Sequence, residues 1–222
     1  MRHSDGKEYH HADQRKRPMF AATSTIPISL YLSMAAFALA ASITPGPVNI
    51  IVLSSGVQFG FRASLRLVFG ATAGFCLLLL LIGLGLHELL TAFPQMTTII
   101  QWAGVAFLLF MAWKLFSSSG ELGKRDAGSG PSAITGALMQ WVNPKAWLAS
   151  IAGMGAYAAS GAPTLIWEFT AIYFVVCFAS VACWAYAGAF LGRFLGNPSR
   201  IRLFNRVMAG LLAASAVYLI LG

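Results

Sequence analysis

Two apolar segments of this chain are interrupted by proline. The first carries Thr44-Pro45-Gly46-Pro47-Val48-Asn49 and the second carries Gln140-Trp141-Val142-Asn143-Pro144-Lys145. Each interruption falls where a helix should run unbroken through lipid. Proline lacks an amide donor and its ring clashes with the carbonyl one turn back, so each break frees backbone polar groups. Hydrocarbon cannot satisfy those groups, which are tolerated only where protein or water covers them. Two such breaks at matching places in two halves of a chain point to the binding site of a transporter.

Charged residues make up 10% of the chain and hydrophobic residues 58%, whereas a soluble domain carries about 25% charged residues. An all-α integral membrane protein in a lipid bilayer is therefore expected. The net charge is +8, but the cations lie between apolar stretches, without the aromatic interleaving of a nucleic-acid surface. Nucleic-acid binding is excluded on that basis. Cys76, Cys177 and Cys183 all fall inside apolar runs. Their odd number and wide separation argue against a disulfide framework or a metal site and favour packing. His3, His10, His11 and His87 have no partner at ligand spacing, and no cofactor is expected. The chain has no Walker loop, GxSxG, HExxH or dinucleotide fingerprint, so neither ATP-driven pumping nor enzymatic hydrolysis has residues to rest on.

Residues 1–27 are polar, mixed in charge and without apolar period, which predicts a disordered tail. Met19 opens Met19-Phe20-Ala21, a plausible second start of translation. The basic leader with Ala38-Leu39-Ala40 also resembles a secretory signal, but the further spans argue for retention. Residues 28–222 form one transporter domain with six apolar stretches, near 28–56, 67–86, 98–116, 132–156, 165–190 and 207–222. A span needs about 17–25 residues. The first stretch exceeds that because Pro45-Gly46-Pro47 divides it into two half-helices.

Loop charges set the orientation. Arg62 and Arg66 fall in the first loop, Lys124 and Arg125 in the third, and Arg193, Arg200, Arg202 and Arg206 in the fifth. The second and fourth loops hold His87, Glu88 and, near the next span, Glu168, with no Lys or Arg. The odd loops are thus cytoplasmic and both termini outside. The basic leader opposes this placement, but it also carries Asp5, Glu8 and Asp13.

The two halves resemble each other. Trp102-Ala103-Gly104-Val105-Ala106 matches Met208-Ala209-Gly210-Leu211-Leu212, and the prolines of span one match Pro144 of span four. Three spans per half make the repeat inverted. Gly70 and Gly74 share one face of span two, and small residues let helix backbones approach. With Gly104 and Gly210 they read as helix-packing positions, within one subunit ahead of a homo-oligomer seam. Gly83, Gly85, Gly136, Gly153 and Gly155 read the same way. Trp102, Trp113 and Trp167 read as interfacial anchors, whereas Trp141 and Trp147 flank the second break and have a claim on a cavity.

Lys145 lies deep in span four beside the Asn143-Pro144 break. An ionisable side chain there is a functional candidate, with snorkelling along its four-carbon stem as the alternative. Lys114 sits near a span end, where snorkelling is favoured. Thr44, Asn49, Gln140 and Asn143 supply neutral donors and acceptors. A half-helix starting near Pro47 would aim amide hydrogens and a positive dipole end into the cavity, which suits a carboxylate. The expected solute is a small zwitterion such as an amino acid. Glu88 and Glu168 lie at span edges, so a carboxylate relay is not expected. Lys145 is left as the group to exchange a proton for substrate.

The run from Thr44 to Gly85, TPGPVNIIVLSSGVQFGFRASLRLVFGATAGFCLLLLLIGLG, resembles the first motif of the LysE/RhtB family of amino-acid exporters. WAGVAFLLFMAWKLF at 102–116, QWVNPKAWL at 140–148 and CWAYAGAFLGRF at 183–194 add to the resemblance, and look most like its cysteine/O-acetylserine branch. The resemblance implies a six-span exporter of the bacterial inner membrane, driven by an ion gradient. By motif match it places functional positions at Pro45, Gly46, Pro47, Asn49, Asn143, Pro144 and Lys145. Export of a lactone or a metal cation, a non-transporting scaffold, and a membrane enzyme are the competing readings. The missing deep carboxylates and clustered soft ligands speak against a metal cation, the paired breaks against a scaffold, and the missing acid/base pair against an enzyme.

Overall fold

The computed structural model describes residues 27–86, 92, 94–119 and 132–221. The tail with His3, His10, His11 and Met19, the loop residues His87, Glu88, Lys124 and Arg125, and Gly222 lie outside the described residues. The described helices are α1 (Ile28–Ile43), α2 (Pro47–Leu81), α3 (Pro94–Phe116), α4 (Ala133–Trp141), α5 (Pro144–Tyr157), α6 (Pro163–Leu195) and α7 (Pro198–Leu221). A π-helical turn, Ile82–Leu86, extends α2. Proline opens five of the seven, where its fixed φ suits a first turn and its missing amide costs nothing.

The first loop expected from the sequence is a single residue. Gly60 has φ 79° and ψ 172° inside α2, a left-sided conformation that a Cβ disfavours. The chain reverses there. Ser55 Oγ lies 2.7 Å from Ser64 Oγ, although nine residues of straight helix would span about 13.5 Å. Along the arm 47–59, Leu53 and Val57 meet Gly188 and Gly192 of α6 in rising order. Along the arm 61–81, Phe61, Phe69 and Phe75 meet Tyr186, Phe174 and Tyr173 in falling order. Arg62 and Arg66 are therefore exposed helical residues just past the reversal.

The fifth loop is also shorter than expected. Gly196 caps α6 with φ 46°, and α7 begins at Pro198 rather than near 207. Arg200, Arg202 and Arg206 thus lie on a helix. Arg206 stacks over Phe116 at 5.3 Å and Asn205 Nδ2 donates to Ser118 Oγ at 3.1 Å. These contacts bring the C-terminus of α3 to the N-terminus of α7. Arg62, Arg66, Lys114, Arg193, Arg200, Arg202 and Arg206 consequently gather at one end of the bundle.

Small residues permit the close crossings. A Cβ on Gly70 would overlap the Ala133 carbonyl, one on Gly136 the Leu67 carbonyl, and one on Gly104 the Val142 carbonyl. Gly74 abuts Ala137. Gly210 departs from the expectation, because a Cβ there meets open space, so it is not a packing position. Gly155 is likewise open, while Gly83 and Gly153 pack against side chains.

Two helical stretches, Pro47–Gly85 and Pro163–Leu195, are long and apolar enough to cross a membrane by length and composition. The bundle's outside is apolar, with Trp102, Phe110, Trp113, Leu148, Trp167, Val175 and Phe194 all more than half exposed. A soluble monomer rarely shows such continuous apolar surface.

Candidate functional site

Both proline breaks open onto one cavity. It has a volume of about 40 Å³ and is lined from the first break by Ser42, Gly46, Val48 and Asn49, and from the second by Gln140, Asn143, Lys145 and Ala146. The α2 and α6 walls add Phe75, Tyr173, Cys177 and Val181. Of the residues expected from sequence, Gly46, Asn49, Gln140, Asn143 and Lys145 line it. Thr44, Pro45, Pro47 and Pro144 shape the breaks without forming the wall.

The first break is held partly by its own Asn49 and partly from outside itself. Asn49 Nδ2 donates to the carbonyls of Ser42 at 3.0 Å and Thr44 at 2.9 Å. Lys145 Nζ, arriving from the second break, donates to the Thr44 carbonyl at 2.6 Å and lies 3.5 Å from that of Pro45. Trp184 Nε1 donates to the Ile43 carbonyl at 3.1 Å. These carbonyls end α1 and have no intrahelical donor, so an ammonium at that negative dipole end is favourable. Thr44 Oγ1 turns back to the Ala40 carbonyl.

The second break is held locally. Asn143 is the N-cap of α5, its Oδ1 accepting from Lys145 N at 3.2 Å, and its Nδ2 donates to Gln140 Oε1 at 3.2 Å. Trp147 Nε1 donates to the Trp141 carbonyl at 2.8 Å. The two indoles meet edge to face at 6.5 Å and do not line the cavity, contrary to their sequence-based claim on it.

Two half-helices begin at the wall. In α2 the first intrahelical bond is Ile50 N to the Gly46 carbonyl at 3.0 Å. The amides of Val48 and Asn49 precede it and face a site that suits an anion. Lys145 Nζ stands beside this end, and a Cβ on Gly46 would lie 3.4 Å from it. Glycine at 46 thus leaves room for the lysine. At the inner end, Ser42 Oγ is buried without a hydrogen bond of ordinary length to any described residue and shares the cavity wall with the Cys177 thiol and the Tyr173 phenol. Sequence reasoning missed these three. The signal was the spacing of Tyr173, Cys177 and Val181, four apart along one face of α6.

An apolar-surfaced helical bundle with a small cavity between broken helices, apolar over most of its wall and set with a few polar groups, fits a membrane translocator. This chain belongs to the LysE type translocator family, whose match spans residues 39–222; it is a transporter and not an enzyme. Among curated proteins it is 28% identical over 194 residues to the cysteine/O-acetylserine efflux protein of Klebsiella pneumoniae, covering 86% of this chain and 93% of the relative. It is 29% identical over 187 residues to the proteins of the same name from Salmonella typhimurium and Escherichia coli K12, covering 82% of this chain and 92% of each relative. No solved structure matches this chain.

Proposed function

We propose that this protein exports a small zwitterionic amino acid or close derivative, of the cysteine or O-acetylserine kind, across the bacterial inner membrane. The observation that carries the reading is the convergence of both breaks on one cavity, with Lys145 of the second bonded to carbonyls of the first. The substrate carboxylate docks at the amides of Val48 and Asn49 beside Lys145. Its ammonium group meets the side-chain oxygens of Gln140 and Asn143. The side chain points to Ser42, Tyr173 and Cys177. One water needs about 10–15 Å³ on the scale used for such cavities, so this small cavity holds only a few waters and favours a small solute. The relatives' printed names support the same class.

Alternating access in this reading comes from two inverted halves of three spans each. Supporting it, α1 with the first arm of α2 runs alongside α6, and α4 with α5 runs alongside the second arm of α2 in the same sense. Gly70 and Gly74 meet Ala133 and Ala137 in rising order, and Gly83 meets Met154. Exchanging the halves maps one arrangement onto the other. The cation-rich end faces the cytoplasm. Transport is driven by an ion gradient, with a proton as the first candidate ion, and Lys145 is the cationic side chain of the cavity whose partners change as substrate arrives.

Counterflow in proteoliposomes tests the reading. Cysteine and O-acetylserine outside should drive exchange with labelled substrate inside, and tryptophan and lysine should not. Exchange with none of a broad amino-acid panel would end the proposal.

A further inference from the structure

Glu168 is the only Asp or Glu side chain among the described residues. It lies in the second turn of α6, at the end of the bundle opposite the gathered arginines, and is half-buried. Its Oε2 is buried and has no hydrogen-bond partner among the described residues. From α1, the Tyr31 phenol lies beside the carboxylate, within reach of a hydrogen bond. From α5, the Tyr157 ring packs on Phe169, the residue next to Glu168, at 5.0 Å, its Oη donating to the Ser33 carbonyl at 3.0 Å and lying 2.8 Å from Ser33 Oγ. The described residues of the π-turn that packs on α6 carry no titratable side chain. Tyr31 and Tyr157 are therefore the titratable groups presented to Glu168 by the described neighbouring elements.

A wall of rings separates this carboxylate from the substrate cavity. Phe169, its neighbour in sequence, packs on Phe37 at 6.1 Å, Tyr157 at 5.0 Å and Tyr173 at 5.7 Å. Tyr173 in turn stacks on Phe75 at 4.4 Å, and both line the cavity. A buried carboxylate oxygen without a donor of its own is a favourable place for a cation to sit. A hydrated anion, conversely, demands water and so favours parted helices.

We propose that Glu168 is a binding site for the monovalent coupling cation, a proton or an alkali metal ion, on the far side of the ring wall from the substrate. The proposal rests on the transport reading above. With the cation bound, the carboxylate is neutralised, either as the acid or as an ion pair, and the ends of α1, α5 and α6 can close over it. With the cation gone, the charged carboxylate draws in water and holds that end open. Substrate and cation thus act on opposite faces of one set of rings.

The test uses the full chain in proteoliposomes and two readouts, counterflow without a gradient and accumulation driven by an imposed gradient. Glu168→Gln should keep counterflow within about twofold and lose at least about tenfold in driven accumulation. A wild-type response to a pH gradient alone assigns the proton, and a response to a sodium gradient alone assigns the alkali ion. Driven accumulation that survives Glu168→Gln, or wild-type counterflow that neither gradient can drive, overturns the site. Should Glu168→Gln fail to insert, dicyclohexylcarbodiimide replaces it on the wild type, since it modifies carboxyl groups in apolar surroundings. Peptide mass spectrometry locates the adduct. Glu168-labelled protein should lose driven accumulation and keep counterflow; labelled protein that still accumulates substrate rejects the site. Wild-type protein that exchanges no amino acid defeats the transport reading instead.

Discussion

The two broken helices solve one problem in opposite ways. At the second break the loose polar groups are met by residues within a few positions, through Asn143, Gln140 and Trp147. At the first break three non-helical residues separate the half-helices, and the exposed carbonyls are met by Asn49 from the next half-helix, Trp184 from α6 and Lys145 from the other half of the chain. One break is complete by itself. The other is complete only while the two halves are docked. A transporter that rocks one half against the other would feel this difference, because motion breaks bonds at the first site and spares those at the second.

The largest expected effect follows from Lys145→Met. It keeps the stem and removes the ammonium, a group whose hydrogen bonds are worth about 1.5–3 kcal/mol. Counterflow should fall by at least about tenfold, since 1.4 kcal/mol is a decade. Equal counterflow in Lys145→Met and wild type would break the comparison. Asn49→Leu comes next. It removes two donors to the Ser42 and Thr44 carbonyls, each worth about 1 kcal/mol, and should lower the melting temperature in detergent as well as transport. The double variant should be less harmful than the sum of the two, because both side chains serve the Thr44 carbonyl. Asn143→Ala should be mildest, with the loss of a local cap worth about 1 kcal/mol. A larger fall in stability for Asn143→Ala than for Asn49→Leu would reverse the ranking.

The breaks were legible because proline and glycine act through covalent geometry, which needs no tertiary context. The identity of Lys145 as a special side chain was legible from its depth in an apolar run. Its partner was not. Backbone carbonyls at Thr44 and Pro45 carry no sequence signal, so a lysine that ties two half-helices together reads like one awaiting a ligand. Ser42, Tyr173 and Cys177 were hidden for a different reason. A hydroxyl, a phenol and a thiol inside apolar runs look like packing residues until the fold aims them at a hollow. Glu168 was placed at a span edge by counting along the chain, yet its Oε2 is sealed in by neighbouring elements. Gly210 failed in the opposite sense: its sequence matched that of Gly104, but only Gly104 meets a backbone carbonyl.

The reversal at Gly60 constrains how the chain enters a bilayer. With one residue between them, the arms of α2 cannot be handled separately: the second must begin to insert while the first is still settling. Arg62 and Arg66 follow the turn, so the tip of this needle carries positive charge. Lengthening the turn with a flexible insert would uncouple the two arms during biogenesis, even where the finished bundle could accommodate it.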